Sequence, residues 1–298
     1  MTISESFDNF IYTCRLRDLS EKSLLCYTSF VKPFISFIGS DSCVDTIDRD
    51  SVFHYIETLY NRDIAKATRA TYIRHLKIFL KWLQNECYVN LNVKDIPVPK
   101  TPKKVLHIYN DSEISQIFHS VTADKDWIVS RNCSIIALML DSGLRQNEIC
   151  TLMRVDVCYQ TGLLKVHGKG DKERVVPFGS FSRHFMKLYD KQCPFHNDRF
   201  FVSRRGEYMS CDSVKRFMYK LAQKLPFELS SHKLRHNFAT NYCLDQYEKH
   251  GQVDIYRLMV LMGHEDIKTT RRYLHFANQI IASRTNISHL DKILDWEN

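Results

Sequence analysis

The chain has 298 residues, with 42 Lys plus Arg against 34 Asp plus Glu and a formal net charge of +8. Hydrophobic residues make up 44 % and charged residues 26 %, which excludes a disordered chain. No run approaches the 18 apolar residues of a membrane-spanning helix, and the first residues carry no basic-then-apolar leader. We therefore expect a cytoplasmic protein with no membrane partner. The basic excess is compatible with a nucleic-acid partner.

The first third of the chain, residues 1–92, has helical periodicity and predicts an all-helical domain. Ser20 precedes a segment with apolar residues three or four positions apart, Asp48 precedes a second, and Thr68 precedes the most amphipathic one. The other side of this last segment is basic and includes Lys77 and Lys81. Such a face is either a solvated surface or a DNA contact.

Residues 93–106 differ in composition from both flanking regions. Three prolines and four lysines lie within these fourteen residues. This composition predicts an extended, basic linker between two domains. Lys100 and Lys104 are two further candidate DNA contacts.

The remaining residues, 107–298, predict a mixed but mainly helical domain. Asp111 can cap a helix, residues 127–140 form an apolar helix, and residues 163–178 predict two short strands around a Gly-Lys-Gly-Asp-Lys turn. Further helices are predicted around 181–192, 212–224, 232–246, 253–262 and 268–283, with a short amphipathic segment at 287–294. The fold class is therefore mainly α with a small β-sheet.

Four separated segments of this domain carry cationic or tautomeric side chains at turns or helix starts. Arg145 follows a glycine, and Glu148 lies three residues later, where it could hold the guanidinium. Lys169 lies between two glycines at the predicted hairpin tip. Taken singly, such residues are most often an ion-paired arginine and an ordinary turn lysine.

The other two segments contain histidines. His232 and Arg235 are three residues apart, so one helix face presents both. His264 follows a glycine, and Tyr273 lies nine residues further on. Taken alone, such histidines usually cap a helix or lie in a core, and such a tyrosine is half-buried. Together, however, two arginines, a lysine and two histidines can surround one phosphate. A tyrosine beside that positive charge is a candidate nucleophile.

These residues resemble the tyrosine site-specific recombinases of the phage-integrase and Xer type. Members of that family carry GLRxxE, a GKG hairpin, HxLRH and LGHxxxxTTxxYxH in this order. The corresponding residues here are Gly143-Leu144-Arg145 with Glu148, Gly168-Lys169-Gly170, His232-Lys233-Leu234-Arg235-His236, and Gly263-His264 through Thr269-Thr270 to Tyr273 and His275.

The resemblance implies a role for each matched residue. Tyr273 would form a 3′-phosphotyrosine link to DNA, and Lys169 would protonate the leaving 5′-oxygen. The other roles implied are phosphate binding by Arg145, Arg235 and His264, proton removal from Tyr273 assisted by His232, and orientation of Arg145 by Glu148. No metal and no other cofactor would be needed.

The resemblance also implies an architecture and partners. It implies a two-lobe DNA clamp, with a core-binding domain at 1–92, the linker at 93–106 and a catalytic domain at 107–298 that ends in an exchange helix. The partner would be double-stranded DNA with inverted-repeat core sites, bound by a homotetramer that assembles through the C-terminal segment. The reaction would be integration, excision or resolution of a mobile element or replicon through a Holliday junction.

The sequence departs from the family pattern between Arg235 and His264. That interval is several residues longer than usual, and "QYEKHG" is either an inserted loop or a helix extension. Two other functions stay open. A type IB topoisomerase uses a closely similar catalytic set, although the tail beyond Tyr273 disfavours it. A catalytically inactive DNA-binding repressor is disfavoured because every catalytic position is filled.

Overall fold

Two units form along the chain, Met1–Lys104 and Val105–Asn298. The structure, a computed structural model, describes residues 1–101, 107–168 and 172–284. The described residues of the first unit contain four α-helices, which are α1 (Ile3–Leu16), α2 (Glu21–Ile38), α3 (Arg49–Tyr60) and α4 (Lys66–Asn85). Their apolar faces meet in one core, which includes Phe7, Phe34, Leu59 and Phe79.

Polar side chains set the helix starts in this unit. Ser20 caps α2, and Asp48 and Ser51 form a reciprocal capping box at α3, so both predicted starts are confirmed. Helix α4 begins at Lys66, two residues before the predicted cap. Helix α1 was not predicted, although Thr2 and Glu5 form a capping box at its start.

The first unit continues beyond residue 92. Val93 and Ile96 are buried in its core, and Val98 packs against that core. Val93–Asp95 form a single 3₁₀ turn. The first part of the predicted linker is thus packed on the helices rather than extended between domains, because two of its apolar side chains bury there. Residues 102–106 lie outside the described residues.

The second unit is mainly helical and contains a small antiparallel sheet. Its helices are α5 (Asp111–His119), α6 (Asp126–Asp141), α7 (Gln146–Thr151), α8 (Ser180–Gln192), α9 (Cys211–Ala222), α10 (Ser231–His250), α11 (Ile255–Met262) and α12 (Ile267–Arg284). Its strands are β1 (Val157–Cys158), β2 (Leu163–His167) and β3 (Glu173–Pro177), in the order β1-β2-β3. The predicted fold class, mainly α with a small sheet, is confirmed.

The pairing of the two longer strands sets the position of Arg174 on β3. Strands β2 and β3 pair from Leu163 opposite Pro177 to His167 opposite Glu173. Leu164, Val166 and Val176 face the main core of the unit, while neighbouring positions are exposed, as expected for a sheet with one buried face. This alternation fixes the register and therefore the position of Arg174.

Two apolar clusters support the second unit. Helix α6 is buried along almost its whole length and packs against α8 and α10. A second cluster forms where α10, α11 and α12 meet, and it contains Cys243, Leu258, Met262 and Tyr273. This second cluster fixes the three helices that carry most of the predicted site.

The unusual segment near residue 250 extends a helix. Helix α10 runs to His250 and ends at Gly251, which has a left-handed φ of 69°. Of the two alternatives for "QYEKHG", the helix extension is therefore correct. Among the described residues, no helix has both the length and the apolar character that crossing a membrane requires.

Candidate active site

Arg145 stands at the N-cap of α7, directly after the turn that ends α6. Its backbone N–H donates to Glu148 Oε2 at 2.7 Å, and its Nη1 donates to Glu148 Oε1 at 2.9 Å. Its Nη2 donates to the carbonyl of Gly263 at 2.7 Å. The side chain stays partly exposed, so its remaining N–H groups are open to a ligand.

Glu148 is buried and is shared by several arginines. Arg174 on β3 donates from Nη1 and Nη2 to the two carboxylate oxygens at 2.7 and 2.9 Å. Arg235 Nη1 lies 3.9 Å from Glu148 Oε2. Burial by itself would raise the pKa of Glu148, but the hydrogen bonds and charges of Arg174 and Arg145 outweigh it and lower that pKa. One carboxylate therefore faces three guanidinium groups, which leaves a local excess of positive charge.

Arg235 lies on α10 and is almost completely buried. It donates from Nη1 to the carbonyl of Gly143 and from Nη2 to the carbonyl of Met262. Its Nη2 also lies 3.4 Å from His264 Nε2. Both arginines are thus held by main-chain oxygens at the ends of α6 and α11.

His264 follows the end of α11 and is oriented from both sides. Its Nδ1 lies 2.9 Å from Oγ1 of the buried Thr270, and the guanidinium of Arg235 faces its Nε2. Since a guanidinium can only donate, Nε2 accepts and Nδ1 carries the proton. Burial, together with the charge of Arg235 and other arginines, lowers the pKa of His264 to about 4. The neutral ring is therefore the dominant form at neutral pH.

Tyr273 on α12 is only 1 % exposed and packs beside His236, His264 and Arg272. Its Oη lies 2.6 Å from Nδ1 of His236, and its ring stacks 6.2 Å from that of His264. The guanidinium of Arg272 lies 5.2 Å from the centre of the tyrosine ring. Burial raises the pKa of Tyr273, and the charges of Arg272, Arg235 and Arg145 oppose that rise without cancelling it.

One cleft of about 360 Å³ joins these groups. Its walls include five of the predicted site residues, Arg145, His232, Arg235, His264 and Tyr273, together with His236. His232 is exposed, and its ring centre lies 4.1 Å from that of His236. Burial and the nearby arginines lower the pKa of His232. With Arg272, which also lines it, the cleft combines three arginines with three histidines and one tyrosine.

The remaining predicted residues are placed as follows. Lys169 and Lys104 lie outside the described residues. On α4, Lys77 donates from Nζ to the carbonyl of Ile96 at 2.6 Å, whereas Lys81 is exposed and reaches Gln84. Lys100 is exposed. The residues that the structure describes contain no group of three or more side chains suited to hold a metal ion.

Three residues that the structure places at the site had no role predicted from the sequence, namely Arg174, His236 and Arg272. Arg174 lies 26 residues from Glu148 in sequence, and only the strand register brings the two together. His236 was part of a quoted motif but received no function. Its spacing of four residues from His232 was the available signal, because residues four apart share a helix face.

The chain is similar to known proteins along most of its length. The model of the phage integrase family matches residues 108–298. The tyrosine recombinase XerC of Bacillus subtilis (strain 168) is 25 % identical over 287 residues, which cover 92 % of this chain and 91 % of that protein. The tyrosine recombinase XerD of Chlamydia pneumoniae is 28 % identical over 289 residues, covering 93 % and 91 %.

A solved structure shares the fold. The Tn1549 transposon integrase, determined in complex with a circular intermediate DNA, has a TM-score of 0.73 to this chain at 16 % identity. The match covers 92 % of this chain and 95 % of that one. Since the family model matches well over half of the sequence, the chain belongs to the phage integrase family and is an enzyme of the tyrosine recombinase class.

Proposed function

We propose that this enzyme cuts and rejoins specific DNA sites through a 3′-phosphotyrosine intermediate and a Holliday junction. The observation that carries the proposal is the shared cleft, in which Tyr273 lies among three arginines and three histidines. The product would be integration, excision or resolution of a mobile element or replicon. The Tn1549 integrase, whose fold is shared, belongs to a transposon and was solved with DNA, which supports this class of substrate.

The proposed chemistry begins with attack by Tyr273 on the scissile phosphorus. Arg145 and Arg235 would bind the non-bridging oxygens, since each retains N–H groups beyond those that hold it in place. Charge that develops on those oxygens would then be stabilised by donors already fixed in position. His264 would hydrogen-bond the same phosphate from Nε2, which requires its proton to move from Nδ1 to Nε2 when Arg235 turns its Nη2 from His264 to the phosphate.

Two proton transfers complete the step. His232 would accept the phenol proton, because it is exposed at the cleft and largely neutral at neutral pH. Lys169, which lies outside the described residues, would protonate the 5′-oxygen as the P–O5′ bond breaks. Since Tyr273 is buried in the free chain, the cleft must open around its hydroxyl when DNA binds.

The proposed partners follow from the same reaction. Strand exchange requires two DNA sites, so we infer a homotetramer on double-stranded DNA with inverted-repeat core sites. The C-terminal segment at 287–294, proposed to join the subunits, lies outside the described residues. Lys81, Lys100 and Lys104 are proposed contacts to the phosphate backbone, and Lys77 is not retained among them, because its Nζ donates to the carbonyl of Ile96.

A nicked suicide substrate tests the nucleophile. The wild-type protein should form a covalent protein–DNA adduct, and Tyr273→Phe should form none while still shifting the DNA in a gel. Tyr242→Phe is the matched control, because it removes a hydroxyl from another tyrosine packed against the same apolar cluster and should leave the adduct unchanged. An adduct formed by Tyr273→Phe would refute the assignment.

The same preparations distinguish the alternative functions. Recombination between two sites, assayed beside relaxation of a supercoiled plasmid, separates strand exchange from topoisomerase action. Adduct formation with relaxation but without exchange would favour a type IB topoisomerase. DNA binding without any adduct would favour a repressor.

A further inference from the structure

His236 is a buried group for which the proposed chemistry has no use. It is 4 % exposed and lies one residue after Arg235 on α10. Both of its ring nitrogens are engaged. Nδ1 lies 2.6 Å from Tyr273 Oη, and Nε2 lies 2.9 Å from Nη2 of Arg272.

The contact with Arg272 fixes the tautomer of this histidine. A guanidinium has five N–H donors and no acceptor, so Nε2 of His236 must accept. A neutral imidazole carries one ring proton, which must then lie on Nδ1. It follows that His236 donates a hydrogen bond to Tyr273 Oη and cannot take the phenol proton at that nitrogen.

The surroundings keep this histidine neutral. Burial opposes a charge on the ring, and His232, Arg272, Arg235 and His264 all face it and oppose a second proton. The pKa of His236 is thereby lowered to about 3. Tyr273 offers His236 only a neutral hydroxyl, which does not stabilise a positive charge on the imidazole ring.

We propose that His236 is a catalytic hydrogen-bond donor that stabilises negative charge on the oxygen of Tyr273. The inference rests on the proposed function, in which that oxygen is the nucleophile. It assigns His236 a role opposite to that of a base. The proton acceptor must then be another group, and the exposed His232 remains available.

The donor would act in both directions of the reaction. During cleavage the Oη–P bond forms, the P–O5′ bond breaks, and the phenol proton passes to His232 while His236 keeps its own proton. During rejoining a 5′-hydroxyl returns its proton to Lys169 and bonds to phosphorus, and the P–Oη bond breaks. The electron pair then remains on Oη, where the N–H of His236 stabilises the phenolate until it is reprotonated.

A matched pair of variants tests the donor. In His236→Asn, the amide nitrogen can occupy the position of Nδ1 and donate, but it cannot act as a base. His236→Leu has the same branched shape and no donor. We expect adduct formation to slow by about tenfold in the Asn variant and by ~10²–10³ in the Leu variant, the usual cost of removing one donor to a developing oxyanion. Equal losses in two variants that melt like the wild type would overturn the proposal.

The tautomer itself provides a readout that needs no DNA. Two-bond nitrogen–proton spectra of the wild-type protein labelled with ¹⁵N-histidine distinguish a protonated Nδ1 from a protonated Nε2, and His236→Asn identifies the resonance. A protonated Nδ1 throughout pH 6–8 is the expected result, and a protonated Nε2 would refute the donor. If the tautomer is as expected but wild-type protein forms no adduct, the proposed function fails while the hydrogen bond stands.

Discussion

Both carboxylate oxygens of Glu148 accept a hydrogen bond from Arg174, and the same carboxylate also holds Arg145. Arg174 is itself buried and donates from Nε to the carbonyl of Leu261. With its hydrogen bonds committed to the protein, Arg174 is a positioning residue. It links strand β3 to the start of α7 and so holds Arg145 towards the cleft.

Arg174→Ala should strongly destabilise the protein. The change leaves the Glu148 carboxylate buried without its bidentate partner, and breaking a buried ion pair typically costs about 3–5 kcal/mol. Arg174→Lys keeps the charge but cannot bond both oxygens, so we expect an intermediate loss. Urea denaturation measures the free energy of unfolding of both variants. Lys165→Ala is the control, because it breaks an exposed, solvent-screened pair with Glu173 that should contribute little to stability. A loss in Arg174→Ala no larger than in this control would contradict the network.

Gly143→Ala should damage both folding and cleavage. Gly143 has a φ of 62°, and a Cβ there would lie 2.3 Å from Cδ1 of Phe238. The same residue supplies the carbonyl that holds Arg235. Gly251→Ala is a matched control, because Gly251 has a φ of 69° but open space around the added atom.

Both alanine variants should lose about 1–2 kcal/mol from the left-handed backbone conformation. Only Gly143→Ala should lose a further ~1–3 kcal/mol from overpacking and show slower adduct formation. Thermal melts together with the suicide-substrate assay give both quantities. Equal behaviour of the two variants would show that Phe238 moves aside freely.

Stability should fall as the pH decreases below about 6.5. His236 and His264 have folded-state pKa values of about 3 and about 4, against 6.5 for the unfolded chain. Between these values the unfolded chain binds more protons than the folded chain, so the free energy of unfolding decreases with falling pH. Each histidine contributes a slope of at most ~1.4 kcal/mol per pH unit.

Between pH 4 and 6, His236→Asn should reduce the slope of the free energy of unfolding against pH by up to ~1.4 kcal/mol per pH unit, because one buried neutral histidine is removed. Glu148 also makes stability fall with decreasing pH, but at lower pH. Its pKa is lowered in the folded protein, so the stabilisation is lost as the carboxylate is protonated. Urea denaturation at a series of pH values tests the prediction. A free energy of unfolding that stays constant from pH 6.5 to 4.5 would be incompatible with two neutral, buried histidines.

Two lysines on α4 should respond differently to substitution. Lys81 is exposed, so Lys81→Ala should reduce the slope of log affinity for DNA against log salt by about 0.9 if that side chain neutralises one phosphate. Lys77 donates to the carbonyl of the buried Ile96, so Lys77→Ala should instead reduce stability by about 1–3 kcal/mol. DNA binding at several salt concentrations and urea denaturation separate the two effects. Unchanged stability in Lys77→Ala would mean that its hydrogen bond is replaced by water.

The sequence was sufficient for most of the fold because the helices have clear starts and apolar spacing. Ser20 and Asp48 cap the helices that they were predicted to cap. The capping box formed by Thr2 and Glu5 was also readable, and it would have identified α1. Strand β1 has only two residues, which is too short for any alternation to be visible. The boundary at residue 92 failed because proline and lysine content does not reveal that Val93 and Ile96 bury their side chains.

Less of the candidate site than of the fold could be predicted from the sequence, because several of its contacts join residues far apart in the chain. Side chains three residues apart, such as Arg145 and Glu148, could be paired from helical geometry, and their hydrogen bond is present. The pairing of Arg174 with Glu148 depends on the register of β3 and on the packing of α7, which no local pattern specifies. Positive charge around Tyr273 was expected to favour its phenolate, but burial outweighs that charge and raises the pKa of Tyr273.

Arg235 donates its hydrogen bonds to main-chain oxygens, so side-chain substitutions at the residues that accept them do not remove the acceptors. A substitution at Met262 alters an apolar side chain in the cluster of α10 to α12, yet the carbonyl that accepts from Arg235 remains. Gly143 is the exception, because its backbone conformation excludes other residues. Side-chain substitutions along α11 can therefore leave the proposed phosphate-binding geometry of this cleft unchanged. Such substitutions would change stability and leave the direction of the guanidinium as it is.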